Sequence, residues 1–246
     1  MVNRCLLLCR FGLSNYLRKE GFLQGNRYPV RVWDLGVRVF HWSLLVLLTG
    51  SWLTGTSEDD WMEVHQWLGI SVLTLVLSRV AWGFVGSETA RFGHFIRGRR
   101  AVVTYLRGVF SFRVEHNRVG HNPAGGWSVL LLLGLLVAQA VTGLFSNDDV
   151  LFDGPLSGWA GKGLSDVITG VHYFLFNVLW VAIAVHIVAV LAYLVFKRDN
   201  LITPMITGVK SYKEPVVAPR LHSPWWAALI LVLIFAVLVW GLGQAT

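Results

Sequence analysis

Two histidines, His172 and His186, lie in one apolar run, 167–196, that contains no Lys, Arg, Asp or Glu. At ~100° per residue, fourteen steps bring the second ring to within ~40° of the first, ~21 Å further along a helix. The run exceeds the ~20 residues that cross a bilayer. One helix face therefore offers an imidazole near each membrane surface, and such a face can hold one end of two stacked metal cofactors. An ionisable group at membrane depth is costly and points to function by default. A lone buried histidine is otherwise a satisfied polar residue, and that reading weakens with each further histidine at a matching depth.

Two more histidines sit in predicted spans. His41 follows Arg38-Val39-Phe40, five residues inside a span over 36–55, and His65 opens a span over 64–85. Zinc would take about four ligands from Cys, His or carboxylate, and no acidic residue stands at membrane depth to complete such a set. Haem needs two axial ligands from facing helices and an apolar pocket. No Met in the spans offers a suitable alternative, so bis-His ligation follows.

The elements that must position these groups are membrane helices. Of 246 residues, 54% are hydrophobic and only 14% are charged, where a soluble domain carries ~25% charged residues. Mean hydropathy is +0.57, and the 12 Trp suit interfacial belts. The expected fold is all-α and integral to the membrane: four spanning helices over 36–55, 64–85, 123–145 and 167–196, and a fifth C-terminal one over 225–242. The third span has no histidine, and a short surface helix is expected over 101–112. Met1 to Leu13 makes a poor signal peptide, with a short apolar run and no small-residue cleavage pattern. Cys5 and Cys9 form neither a haem-attachment motif nor a disulfide framework, and read as free thiols on a reducing side.

Charge gives the orientation. The N-terminal segment, the second loop and the fourth loop hold 18 of the 21 basic residues. The first loop carries Glu58, Asp59, Asp60 and Glu63, and the third carries Asp148, Asp149, Asp153 and Asp166. Basic loops face the cytoplasm, so five spans start inside and end outside. The formal charge of +7 marks topology and anionic headgroups rather than nucleic acid. In this orientation His41 and His186 are inner, and His65 and His172 are outer. Pairing by depth gives two sites, His65 with His172 and His41 with His186. The crossed pairs would ask ligands ~20 Å apart in depth to share one metal.

Arg38 and Arg79, near the inner surface, either pair with haem propionates or snorkel to headgroups. His94, His116 and His222 read as solvated loop residues. His121, just before the third span, is either solvated too or touches a propionate or a quinone headgroup. Gly36, Gly69 and Gly170 lie close to the ligands in sequence and would let a flat macrocycle approach the backbone.

The chain resembles the bacterial cytochrome b561 and nickel–iron hydrogenase b-type cytochrome superfamily. The likeness rests on Val32-Trp33-Asp34, Arg38-Val39-Phe40-His41-Trp42, His65 with Leu68-Gly69, Gly120-His121-Asn122-Pro123-Ala124-Gly125-Gly126 and the His172/His186 pair, and it covers about 31–210. It implies a four-helix bundle holding two haems b that moves electrons between membrane quinone and a redox partner. By position, the family's axial ligands fall on His41, His65, His172 and His186. The expected domains are a cytoplasmic N-terminal extension (1–30), the dihaem domain (31–210) and a C-terminal helix with its tail (211–246). The fifth span suggests the longer, partner-associated branch. The expected location is the bacterial inner membrane, with the N-terminus cytoplasmic and the C-terminus periplasmic. Expected partners are lipid, quinone and a periplasmic c-type cytochrome, hydrogenase or other redox subunit, with quinol reducing the haems and the outer partner draining them. Two functions compete with this: a stand-alone cytochrome reacting with superoxide or another small oxidant, and a haem-bearing anchor of a larger complex. A proton-coupled transporter would want carboxylates at the midplane, and the spans have none.

Overall fold

The computed structural model describes residues 27–57, 61–110, 119–148 and 152–244. Cys5 and Cys9 with the rest of the N-terminal segment, the acidic residues Glu58, Asp59, Asp60 and Asp149, and Arg113, His116 and Arg118 lie outside the described residues. In chain order the main elements are β1 (Tyr28–Arg31), α1 (Leu35–Gly55), α2 (Met62–Val85), α3 (Arg99–Phe110), α4 (Pro123–Phe145), α5 (Lys162–Phe196), α6 (Ile202–Thr207), β2 (Val209–Tyr212) and α7 (Pro224–Gly243). A 3-10 turn at Glu88–Ala90 and single helical turns at Phe92–Phe95 and Ser157–Ala160 fill the loops.

Five helices, α1, α2, α4, α5 and α7, are long and apolar enough to cross a membrane. Their bounds match the hydropathy reading to within two residues, except that α5 starts five residues earlier, at Lys162. Across that extra turn Lys162 pairs with Asp166 at 2.9 Å, an i,i+4 bridge on the exposed surface. α3 starts at Arg99 rather than 101.

Local chemistry fixes the starts of α1 and α4, at the end of the bundle that carries the basic loops and is called inner on that account, the opposite end being called outer. The Asp34 carboxylate caps α1 by accepting from Val37 N at 2.8 Å, and accepts from Trp82 Nε1 at 3.1 Å, tying α1 to the end of α2. Asn122 caps α4 by accepting from Gly125 N at 2.7 Å, with Pro123 at the first helical position.

One element was not legible as a strand. β1 pairs antiparallel with β2, Tyr28 opposite Tyr212 and Arg31 opposite Val209. Gly208 makes the turn into β2 at φ +83 and accepts from Val32 N at 2.8 Å. Any Cβ at Gly208 would also sit 2.9 Å from the Trp33 carbonyl. This clasp joins the chain just before α1 to the chain just after α5, over a core of Val32, Trp33, Val37, Trp82, Ala90 and Tyr212.

In the bundle α1 packs on α2, α2 on α4 and α4 on α5, while α7 lies against α2. The central core is Val72 and Val76 of α2, Leu133 and Leu136 of α4 and Leu179 of α5, with Phe40, Leu44, Leu47 and Leu48 of α1 against it. α5 follows α4 and makes no extensive backbone contact with α1 or α2. Side chains therefore meet across a gap between α5 and the α1/α2 pair, and the histidines lie there.

Candidate functional site

At the outer end, His65 of α2 and His172 of α5 face each other, ring centroids 6.4 Å apart and nearly perpendicular at 88°. Each ring is held by the helix beside it. His65 Nδ1 is 2.8 Å from the Ser51 carbonyl of α1. His172 Nδ1 is 3.0 Å from the Gln139 carbonyl of α4 and 3.1 Å from Thr142 Oγ1. A carbonyl only accepts, so both Nδ1 atoms carry the proton and both Nε2 atoms keep a lone pair. The Gln139 amide Nε2, 3.1 Å from His172 Nε2, agrees with that tautomer by donating to it.

Glycines make room for these rings. A Cβ on Gly55 would lie 2.6 Å from His65 Cε1, and one on Gly143 would lie 3.1 Å from His172 Cε1. The sequence reading missed both, along with Ser51, Gln139 and Thr142. Their one sequence signal is depth: Gly55 ends α1 and Gly143 comes two residues before the end of α4, at the level of the outer histidines. Gly69 and Gly170 have open space where a Cβ would point, whereas Gly36 does not serve the histidines. Its Cβ position is 2.8 Å from Ala227 Cβ, so Gly36 admits α7 against the start of α1.

At the inner end, His186 of α5 lies within electrostatic reach of both His41 of α1 and His121. The His41 ring rests edge-on against Trp42, and its Nδ1 is buried without a hydrogen-bond partner. Arg79 is not snorkelled: it is 4% exposed, donates from NH2 to the Ala90 carbonyl at 3.2 Å and lies over the Phe92 ring. The turn after α2 folds back over it and leaves it no route to the headgroups. Arg38 turns inward as well and donates to the Ile206 carbonyl at the end of α6.

His121 is not a solvated loop residue. Its ring is wedged between Trp33 and Phe95, centroids 4.7 and 4.6 Å away. Burial, with help from the Arg79 charge, pushes its imidazole down to about 3, so it is neutral at physiological pH. Of the other described loop histidines, His94 lies 3.4 Å from Glu88, and His222 donates its backbone N–H to Ser87 Oγ at 2.9 Å with its ring against Trp82.

Do these residues fit haem? Two imidazoles that each held a metal at about 2.0–2.1 Å through Nε2 would have ring centroids about 6.3–6.5 Å apart, which is the outer spacing. The Nδ1–H to carbonyl bonds are those that orient metal-ligating histidines. At the inner end four shielded polar atoms have no partner: His41 Nδ1, Arg38 Nε, Arg79 NH1 and His121 Nδ1. The two guanidinium atoms suit an anionic group such as a propionate. Among the described residues, no three of His, Cys, Asp and Glu come together. The residues fit.

Comparison with known proteins agrees. The family model for prokaryotic cytochrome b561 matches residues 32–208. The probable Ni/Fe-hydrogenase B-type cytochrome subunit of Bradyrhizobium diazoefficiens is 27% identical over 220 residues, 77% of this chain and 89% of that protein. The protein of the same description from Rhizobium leguminosarum bv. viciae is 27% identical over 222 residues, 77% of this chain and 92% of its own. No solved structure gives a significant match. With five helices able to span a membrane and a family match over most of its length, the chain belongs to the prokaryotic cytochrome b561 family, multi-pass membrane b-type cytochromes that carry haem b and transfer electrons.

Proposed function

We propose that this cytochrome holds two haems b, one between His65 and His172 and one between His41 and His186. Through them it exchanges electrons between membrane quinone and a periplasmic redox partner. The observation that carries the reading is the outer pair of imidazoles, spaced and tautomer-locked for an iron between them. With the second pair ~21 Å deeper along α5, the chain has a route across most of the ~30 Å apolar slab. A single haem near one surface would have no such use.

Arg38, Arg79 and His121 surround the inner site. Arg79 and Arg38 hold propionates, and His121, neutral and sealed, contacts a propionate or the carbonyl of a quinone. The dihaem unit spans 31–210, with 1–30 as a cytoplasmic extension and 211–246 as the C-terminal helix and tail. The protein sits in the inner membrane with a cytoplasmic N-terminus and a periplasmic C-terminus, the sense in which the basic loops face inward. The relatives' description as Ni/Fe-hydrogenase cytochrome subunits supports a hydrogenase as the outer partner, with a c-type cytochrome as the other partner that the family resemblance implies. The acidic outer loops suit a partner with a basic face.

The test is a reconstitution. Purified protein in liposomes is mixed with a quinol analogue while both haems are followed spectroscopically. Reduction of the haems by quinol, or their oxidation by quinone, supports the reading. No exchange in either direction overturns the quinone assignment.

A further inference from the structure

We propose that the groove between α2 and α7 is the seat of one anionic phospholipid, its acyl chain against Leu77, Ala81 and Phe84 and its phosphate on Arg91 and Arg220.

The first observation is the groove. It has a volume of about 460 Å³ and is lined by apolar side chains alone, among them Leu77, Ala81 and Phe84 of α2 and Leu233 and Val237 of α7. Both walls are helices able to span a membrane, so the groove opens onto hydrocarbon and takes a hydrocarbon chain. α7 meets the bundle on either side of it. Ala227 and Ile230 pack on the cluster of Trp33, Val37 and Trp82, and Leu238 and Leu242 on that of Ile70, Leu73 and Leu144. Between these contacts α7 buries no residue fully. A chain lying in the groove completes its docking.

The second observation is the charge at the inner mouth. There the end of α2 and the start of α7 are stitched together. Glu88 N donates to the Arg220 carbonyl and Arg220 N to Glu88 Oε2, both at 2.9 Å. Phe84, on the groove wall, stands edge-on to Phe92 with centroids 5.2 Å apart. The neighbouring Arg91 donates from Nε to the Gly86 carbonyl at 2.9 Å, which pins its guanidinium beside the last turn of α2. Arg220 is exposed, and both arginines lie within electrostatic reach of Glu88. Two guanidinium groups against one carboxylate leave the mouth positive, and guanidinium is matched to phosphate. The exposed Trp225 and Trp226 place this mouth at headgroup level.

Position and charge together select a phospholipid over a quinone. Leu77, Ala81 and Phe84 lie ~140–160° around α2 from Arg79, so the groove opens away from the inner histidines. A quinone is uncharged and would leave both arginines without a partner.

The experiment uses the haem-loaded protein in detergent, stripped of loosely held lipid and titrated with phosphatidylglycerol or phosphatidylcholine of the same chains. Native mass spectrometry reads the bound lipid. One phosphatidylglycerol per chain is expected, held about tenfold more tightly than phosphatidylcholine. Val237→Trp, which fills the groove from an exposed position, and Arg91→Gln should each weaken phosphatidylglycerol about tenfold and leave the haem spectrum unchanged. Arg91→Lys, which keeps the charge, should recover most of the loss. The two variants act on the tail and the headgroup separately, so a folding defect in one leaves the other decisive. Equal affinity for the two lipids would overturn the proposal. So would undiminished phosphatidylglycerol binding in the folded variants, which would mark the lipid as part of the general annulus. Displacement of a quinone rather than a phospholipid by Val237→Trp would overturn it as well.

Discussion

The His65 and His172 rings lie with centroids 6.4 Å apart and planes nearly perpendicular, and each is anchored through Nδ1 to a carbonyl of a helix that carries no outer histidine of its own. Four helices thus build one site: α2 and α5 supply the rings, and α1 and α4 aim them. The bundle is needed at this level even before any cofactor is considered.

Ligand pairing follows first. His65→Ala and His172→Ala should each lose the same haem, and the double variant should lose no more than either single one. His41→Ala and His186→Ala should lose the other. Haem-to-protein ratios and low-spin visible spectra of purified variants check this, with circular dichroism to confirm that each has folded. Loss of the outer haem from His41→Ala would refute pairing by depth.

The glycines give a graded series. Gly55→Ala places a methyl 2.6 Å from His65 Cε1, close enough that the ring must move, whereas Gly143→Ala comes only to 3.1 Å of His172 Cε1. The expected result is strong loss of outer haem from Gly55→Ala, weaker loss from Gly143→Ala, and an inner haem unchanged in both. Gly170→Ala, with open space at its Cβ position, should match the parent protein. Full occupancy in Gly55→Ala would show that the ring does not need that space.

His121 makes stability depend on pH. Its folded pKa of about 3 lies below the ordinary 6.5. Between those values the unfolded chain binds a proton that the folded one refuses, so stability falls as pH drops from 6.5 towards 3 and is fully present above 6.5. The slope per proton is about 1.4 kcal/mol per pH unit. Thermal unfolding in detergent at pH 7, 5.5 and 4.5 should show a steeper loss for the parent than for His121→Gln. Parallel pH profiles for the two would mean that the ring is protonated in the fold.

Topology can be read with tags. A reporter at Lys213 should be cytoplasmic and one at Gln244 periplasmic, because the basic loops lie on one side and α7 crosses between these two positions. Both reporters on one side would mean that α7 does not cross.

The sequence by itself determined the number of spans, their bounds and the depth of each histidine. These are properties of a single helix: hydrophobic length against bilayer thickness, 1.5 Å of rise per residue, and lysine and arginine counted loop by loop. α4 was legible to the residue because Asn122 and Pro123 mark its start with local chemistry. Depth alone was enough to pair His65 with His172.

Tertiary structure decided everything that depends on which helices are neighbours. Only packing shows that Gly55 and Gly143 face the outer rings while Gly36 faces Ala227 of α7, because every glycine looks alike in a hydropathy trace. The β1–β2 clasp joins residues some 180 positions apart, and four-residue strands carry too little periodicity to announce a partner. Arg79 read equally as a headgroup contact until the Glu88–Phe95 turns were seen to close over it. His121 read either as a solvated loop residue or as a contact to a propionate or quinone until Trp33 and Phe95, from two distant segments, were found on either side of its ring. The charge state of a buried group is set by what surrounds it in three dimensions, and a linear chain does not contain that information until it has folded.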